Sequence, residues 1–223
     1  MTCRTVPKRD RRPDENEDSV AVDLVSGRFA VSDGASTAAR SAVWSALLVD
    51  AFAGGEDPLA PDVLDGLRRE WWSKVFDPGL PWFAVEKLQR GSAATFVGLR
   101  IGGGAYQVTA VGDTCLFHVS DDELVLVGPV DDHRDFSRYP DLVSTHQPLA
   151  PAAVWSGGGA YRAGDVFLIA TDAVAKHVLR ERVPGVLRVC ETVGGDLEFV
   201  RFVASGRQSG LDNDDTTVCV VHT

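Results

Sequence analysis

The stretch that most constrains the fold is residues 29–36, where a short apolar run ends in an acid that is followed by a glycine. The run Phe-Ala-Val is typical of the last residues of a buried strand. Asp33 would project from the end of that strand, and Gly34, which lacks a Cβ, would let its backbone approach an ion closely. Ser36 or Thr37 is predicted to cap a helix that follows. Taken alone, the pattern also fits a turn in which Asp33 has no further role.

Acidic residues flank other predicted strands as well, which favours a shared site over an isolated turn. They are Glu17 and Asp18 before a strand at 20–22, Asp172 after the apolar run 166–170, and Asp214 before the run 216–221. If these strands pair antiparallel, ends and starts share one edge, so the carboxylates converge and need cations to offset their repulsion. Oxygen ligands without His or Cys favour magnesium, manganese or calcium over zinc. A calcium loop at 212–214 lacks the glycine and distal glutamate of an EF-hand.

Periodicity predicts helices and further strands in the rest of the chain. Helices are predicted at 37–53, 62–76, 81–91, 173–179, 186–193 and 196–205, and strands at 94–100, 106–111, 115–119 and 124–127. Residues 128–151 are predicted to be irregular. Residues 1–15 are predicted to form either a flexible basic arm or a segment that reaches a phosphate, within one domain spanning 1–223. The glycine runs at 102–104 and 157–159 join strands, so we interpret them as hairpins and not as phosphate-binding loops.

Composition excludes several partners. The net charge of −10 argues against affinity for nucleic acid or an anionic membrane surface. No apolar run is long enough to span a membrane, and the first 18 residues do not resemble a signal peptide. The four cysteines are scattered singly, which is typical of reduced thiols in a cytoplasmic protein and not of a zinc site or a disulfide framework.

Short motifs along almost the whole chain resemble the protein phosphatase 2C family, the metal-dependent serine/threonine phosphatases, in their compact bacterial form. The matching motifs are Asn16-Glu17-Asp18, Val31-Ser32-Asp33-Gly34, Gly91-Ser92-Ala93-Ala94-Thr95, Val111-Gly112-Asp113-Thr114, Ala170-Thr171-Asp172 and Asp214-Asp215-Thr216-Thr217-Val218. Each is weak alone, but they occur in the order that the family has. The resemblance implies an α+β fold of four layers, α-β-β-α, in which two stacked antiparallel sheets are flanked by helices.

The resemblance also implies a site for two Mn²⁺ or Mg²⁺ ions at one edge of the sandwich. Asp33 would bridge both ions, Asp172 and Asp214 would hold the first, and Glu17 and the Gly34 carbonyl would hold the second. Asp18 would orient water, and a water held between the ions would attack phosphorus without a phosphoenzyme. Asp113 would contribute to a third metal site.

Three positions depart from the family pattern. Pro13 stands where the family has a phosphate-binding arginine, so Arg12 is the nearest substitute, with Lys8, Arg9 and Arg11 as alternatives. Ala35 replaces a histidine that many eukaryotic members use to protonate the leaving group. Lys176 takes the place of an acid of the third metal site, where its ammonium is expected to pair with Asp113; the alternative is that it extends to solvent.

The resemblance therefore implies a cytoplasmic enzyme that removes phosphate from phosphoserine and phosphothreonine in proteins, the targets of a Ser/Thr kinase. The alternative is a phosphatase-fold module that binds phosphoprotein partners with little or no turnover. Action on a small phosphate is a third possibility, because substrate-selecting loops have no legible sequence code.

Overall fold

The computed structural model describes residues 1–223. Its strands are β1 Thr2–Val6, β2 Ser19–Asp23, β3 Arg28–Ser32, β4 Ala93–Ala94, β5 Phe96–Gly102, β6 Ala105–Val111, β7 Cys115–Ser120, β8 Glu123–Gly128, β9 Val143–Ser144, β10 Trp155–Ala160, β11 Val166–Ala170 and β12 Thr216–His222. Its helices are α1 Ser41–Ala53, α2 Pro61–Val75, α3 Trp82–Gln89, α4 Asp172–Glu181, α5 Val183–Thr192 and α6 Asp196–Gly206.

The long strands form two five-stranded antiparallel sheets. One sheet has the order β1-β12-β11-β7-β8, and the other has the order β10-β6-β5-β3-β2. The short strands β4 and β9 form a separate pair. Helices α1–α3 pack on the outer face of the β3 sheet, and α4–α6 pack on the outer face of the β11 sheet. The predicted four-layer α-β-β-α architecture is therefore confirmed.

Apolar side chains between the two sheets hold the layers together. Phe29 and Leu99 from one sheet meet Leu116, Phe167 and Ile169 from the other, and all five are buried. Burying one such side chain stabilises the fold by about 1.5–3 kcal/mol. This packing brings the end of β3, the end of β11 and the start of β12 to one edge of the sandwich.

Two local predictions are wrong. The first residues are not wholly a flexible arm, because β1 pairs along its length with β12, from Thr2 opposite Val220 to Val6 opposite Thr216. The first long helix starts at Ser41 and not at 37, and neither Ser36 nor Thr37 caps it. The residue before it, Arg40, has φ 53°, a left-handed conformation that interrupts the helix.

The two glycine runs take different positions in one sheet: residues 102–104 end β5 and turn into β6, whereas residues 157–159 lie within β10. Gly158 in β10 lies opposite Gln107 in β6, and Ala160 lies opposite Ala105. The run 102–104 is therefore a hairpin turn, as predicted, whereas the run 157–159 lies inside a strand and not in a hairpin turn. No helix combines the length and the apolar character that crossing a membrane requires.

Candidate metal centre

The acids that flank strands in the β3 sheet meet because β2 and β3 are antiparallel. Ser19, at the start of β2, lies opposite Ser32, at the end of β3. Glu17 and Asp18 precede β2, and Asp33 follows β3, so all three lie at the same edge.

The β11 sheet brings its acids to the same edge. Asp172 is the first residue of α4, directly beyond β11, and Asp214 precedes β12. A direct contact joins the sheets there, because the Thr171 hydroxyl donates to Asp18 Oδ2 at 3.2 Å. Asp113, which is 7% exposed, follows β6.

Asp33 lies at the electrostatic centre of this group. Burial raises the pKa of Asp33 well above its usual range. The charges of four neighbouring carboxylates raise it further, and these belong to Asp18, Asp172, Asp214 and Asp113. The residues predicted from strand ends are therefore neighbours in space.

Three other carboxyl groups are also held toward their protonated form. Burial raises the pKa of Asp18 to about 8, with the charges of Asp215 and Asp172 adding to it. Burial raises the pKa of Asp172 to about 7, with Asp113 as the next cause, and the pKa of Asp113 to about 6. Without cations, the cluster opposes its own ionisation.

Gly34 is required by close packing beside this cluster. A Cβ at this position would lie 2.7 Å from the Glu17 carbonyl oxygen and 2.9 Å from Ser41. The Gly34 N–H donates to that same carbonyl at 3.2 Å. The glycine therefore lets the turn after β3 rest directly on the Glu17 backbone.

Two threonines from the other motifs fix the backbone of Asp33. The Asp33 N–H donates to Thr95 Oγ1 at 3.1 Å, and the Thr95 N–H donates to the Asp33 carbonyl at 2.8 Å. Thr95 Oγ1 lies 2.6 Å from Thr114 Oγ1, next to Asp113. The motifs around Thr95 and Asp113 thus position the acid and do not only fill the core.

Lys8 enters the cluster from the segment after β1. Its ammonium lies 3.5 Å from Glu17 Oε2 and 3.4 Å from Asp214 Oδ1, and it donates to Ser36 Oγ at 2.8 Å. Its backbone N–H donates to Asp215 Oδ1 at 2.8 Å. A cation of the chain itself therefore stands between two of the predicted ion ligands.

The other predicted basic residue points elsewhere. The Arg12 side chain is 74% exposed and pairs with Asp14 at 3.0 Å and with Glu15 at 3.7 Å. The structure therefore brings Lys8, and not Arg12, among the acids.

The expected pairing of Lys176 with Asp113 is wrong. The Lys176 ammonium donates to Asp212 Oδ2 at 2.8 Å. Asp212 is exposed and lies just before β12. An ammonium that pairs with Asp212 therefore keeps more of its hydration than it would beside the buried Asp113. Lys176 thus leaves Asp113 without a neutralising cation.

Neither Asp215 nor Ser41 had a predicted role. Asp215 is 3% exposed and accepts the backbone N–H groups of Lys8 and Glu17, at 2.8 and 2.9 Å. The Ser41 hydroxyl donates to Glu17 Oε1. The only sequence feature that hints at the role of Asp215 is its position directly after Asp214. Of two adjacent acids, one can face the site while the other accepts hydrogen bonds from nearby backbone N–H groups.

The chemistry of this group fits hard divalent cations. Asp18 Oδ1 is buried without a hydrogen-bond partner, a costly arrangement unless a further group satisfies it. The donors are oxygens, as magnesium and manganese prefer. As they stand, no three acidic, His or Cys side chains are gathered tightly enough to ligate one ion. Ion binding would therefore draw the carboxylates together against the repulsion described above.

Comparison with solved structures identifies the fold as that of the protein phosphatase 2C type. The serine/threonine phosphatase PstP/Ppp of Mycobacterium tuberculosis superposes with a TM-score of 0.65 at 20% identity, over 98% of this chain and 95% of that one. The phosphatase MsPP of Mycobacterium smegmatis, in complex with cacodylate, gives 0.56 at 18%, over 99% and 96%. The catalytic domain of PstP in complex with two manganese ions gives 0.60 at 20%, over 98% and 95%.

No protein-family model matches the chain, and no curated protein matches it by sequence. At these identities the structural likeness establishes the fold alone.

Proposed function

We propose that the chain is a manganese- or magnesium-dependent phosphatase that removes phosphate from phosphoserine and phosphothreonine in proteins. The observation that carries this proposal is the group of acids around Asp33, with an unpartnered Asp18 oxygen, at one edge of a phosphatase-type sandwich. The PstP structure with two manganese ions supports the choice of cofactor by analogy.

The proposed ligands follow the two sheets. Asp33 would serve both ions, Asp172 and Asp214 the first, and Glu17 with the Gly34 carbonyl the second. Bound divalent ions would supply Lewis-acid activation of water and neutralise charge on the phosphate.

The chain's own side chains would orient the reactants. Asp18 Oδ1 is free to accept a hydrogen bond from an attacking water, while Asp18 Oδ2 stays bound to Thr171. The Lys8 ammonium and the Ser36 hydroxyl lie beside the group of acids, and both can donate hydrogen bonds to phosphate oxygens. Ala35 offers no acid for the leaving group.

A hydrolysis assay tests the proposal. Purified protein should release nitrophenol from p-nitrophenyl phosphate, and phosphate from phosphoserine peptides, only with manganese or magnesium present. EDTA should abolish both activities, and added manganese should restore them. Activity that persists in excess EDTA contradicts the proposal.

The position of Lys8 favours a second candidate, a module that binds phosphoproteins without turnover. An ammonium between Glu17 and Asp214 opposes a nearby divalent ion, yet it leaves a positive group for phosphate. Phosphopeptide binding without hydrolysis at saturating manganese would support this candidate over the enzyme.

A cavity beside the acids supports a protein substrate. It has a volume of about 870 Å³ and is lined by the 37–39 loop, by α3 and by residues 140–150. The Ala35 N–H donates to the Ala93 carbonyl in the cavity wall at 3.0 Å, so the cavity adjoins the turn that bears Asp33. Phe83 on its rim is 61% exposed. An exposed aromatic side chain beside a cleft is suited to contacting a polypeptide.

Phe83→Ala is expected to lower kcat/KM for phosphopeptides about tenfold, the scale for truncating an aromatic contact, and to leave p-nitrophenyl phosphate hydrolysis unchanged. The aryl phosphate has no polypeptide to place in the cavity. Leu197→Ala is the control, since Leu197 is 67% exposed on α6, outside the other sheet. An equal loss for both substrates, or for both variants, would argue against a peptide cleft here.

Lys8→Met is expected to tighten manganese binding about tenfold or more and to raise KM for phosphomonoesters. Unit charges about 4 Å apart interact by about 4 kcal/mol at an effective dielectric near 20, so removing the ammonium frees Glu17 and Asp214 for the ion. Calorimetric titration measures the first effect, and steady-state kinetics the second. Arg12→Met, which removes a cation that faces solvent, should change neither.

A further inference from the structure

Two cysteines that lie far apart in the sequence face each other across the edge of a sheet. Cys3 in β1 is paired with Cys219 in β12, and their sulfur atoms are 2.7 Å apart. Directly opposed residues of antiparallel strands have Cα atoms about 4.5–5.5 Å apart. A disulfide spans about 4.4–6.8 Å between Cα atoms, so the two sulfurs can bond without moving the strands.

The two thiols differ in access and in acidity. Cys219 is buried in the apolar layer between the sheets, whereas Cys3 lies on the edge strand and is partly exposed. The hydrogen bond between them lowers the pKa of Cys3 and raises that of Cys219. These directions indicate that Cys3 loses its proton before Cys219 does. Cys3 is therefore the accessible nucleophile, and Cys219 is the resolving thiol behind it.

We propose that Cys3 and Cys219 form a reversible disulfide with a small-molecule disulfide such as oxidised glutathione as the oxidant. The Cys3 thiolate attacks one glutathione sulfur and releases one glutathione thiolate. Cys219 gives up its proton and attacks Cys3 in the mixed disulfide, which releases the second glutathione. The cysteine pair loses two electrons and two protons, and the oxidised glutathione gains them as it becomes two thiols.

The other cysteines serve as internal controls. Burial raises the pKa of Cys115 far above its usual range and raises that of Cys190 to about 11. Both are free, and neither has a cysteine sulfur as a hydrogen-bond partner. Thiolate chemistry with a small disulfide should therefore select Cys3.

The bond would fasten the strand that leads to the candidate metal centre. β1 is an edge strand that pairs only with β12. Thr5 Oγ1 lies 2.7 Å from Thr217 Oγ1, and the following Lys8 reaches Asp215 through its backbone N–H. A covalent link at Cys3 would limit fraying of β1 and of the contacts that depend on it.

Intact-mass and peptide-map measurements on the folded protein test the proposal. After treatment with oxidised glutathione, the wild type should lose two hydrogens, about 2 Da, with one Cys3–Cys219 cross-linked peptide, and dithiothreitol should reverse the change. Amide exchange in β1 should slow in the oxidised form. None of these measurements involves hydrolysis, so their outcome does not depend on the proposed function.

Matched variants make the outcome specific. Cys219→Ser, or Cys219→Ala if the buried serine impairs folding, should stop at a mixed disulfide of Cys3 with glutathione. Cys3→Ser should form neither product, while Cys115→Ser and Cys190→Ser should behave like the wild type. A folded wild type that stays fully reduced, or a cross-link that persists in Cys3→Ser, would overturn the proposal.

Discussion

Asp33→Asn is expected to abolish metal-dependent hydrolysis and, in the same protein, to raise the thermal stability of the metal-free form. Asp33 is the acid on which the charges of Asp18, Asp172, Asp214 and Asp113 all act. Removing its charge removes the ligand proposed to serve both ions, so activity should fall by about 10³-fold or more, a loss of roughly 4 kcal/mol. It also removes the cost of ionising Asp33 in the empty cluster, so at about pH 8 the metal-free variant should unfold at a higher temperature than the wild type.

Asp165 provides a matched control at the other end of β11. Asp165 is buried and lies 2.9 Å from His118 Nε2, far along the strand from Asp172. Asp165→Asn should destabilise the protein by about 1–3 kcal/mol, since a buried charged hydrogen bond is weakened, and should leave manganese binding intact. We therefore expect Asp33→Asn to lose activity and gain stability, and Asp165→Asn to keep manganese binding and lose stability. A stability loss in Asp33→Asn with activity retained would refute the assignment.

The stability of the metal-free protein is expected to fall as the pH rises from about 4 to about 8. The pKa is raised to about 8 for Asp18, about 7 for Asp172 and about 6 for Asp113, and is raised well above its usual range for Asp33. An unfolded Asp titrates near 3.9, so the folded state binds more protons in this window, and their loss destabilises it. Each pKa unit corresponds to about 1.4 kcal/mol, so the combined loss reaches several kcal/mol.

Unfolding midpoints measured in EDTA across this pH range check the prediction. Saturating manganese should reverse the trend, because bound cations favour the ionised carboxylates. The net charge of −10 adds repulsion of the same sign at high pH, so the slope in Asp33→Asn serves as the baseline and should be shallower. A midpoint that rises or stays level between these pH values would contradict the burial of the acids.

Most strands and helices were predictable because their patterns are local. The run 166–170 is β-branched or apolar throughout and forms the buried β11, and α2 shows a clear apolar stripe at Leu64, Leu67 and Trp71. β1 was missed because its residues, Thr-Cys-Arg-Thr-Val, alternate weakly and are stabilised by pairing with residues more than 200 positions away. The late start of α1 has the same origin. The Ala39 N–H donates to the Gly91 carbonyl, which holds the preceding loop away from helical geometry.

The acids of the candidate site were predictable, and their surroundings were not. Asp33, Asp172 and Asp214 stand at strand ends, and antiparallel pairing is enough to bring such ends together. The position of Lys8 depends on Asp215 accepting its backbone N–H across 207 residues of sequence, a contact without a local pattern. For Lys176, helical spacing predicted a partner, Asp113, but could not reveal the competing partner Asp212, which lies 36 residues further along the chain.

Calorimetric titration of manganese into the metal-free protein tests whether the acids at this edge of the sandwich form one site for two ions, centred on Asp33. We expect two ions per chain in the wild type, loss of that stoichiometry in Asp33→Asn, and its retention in Asp165→Asn. A wild type that binds no manganese, or an Asp33→Asn variant that binds it as the wild type does, would show that Asp33 is not the centre of a two-ion site.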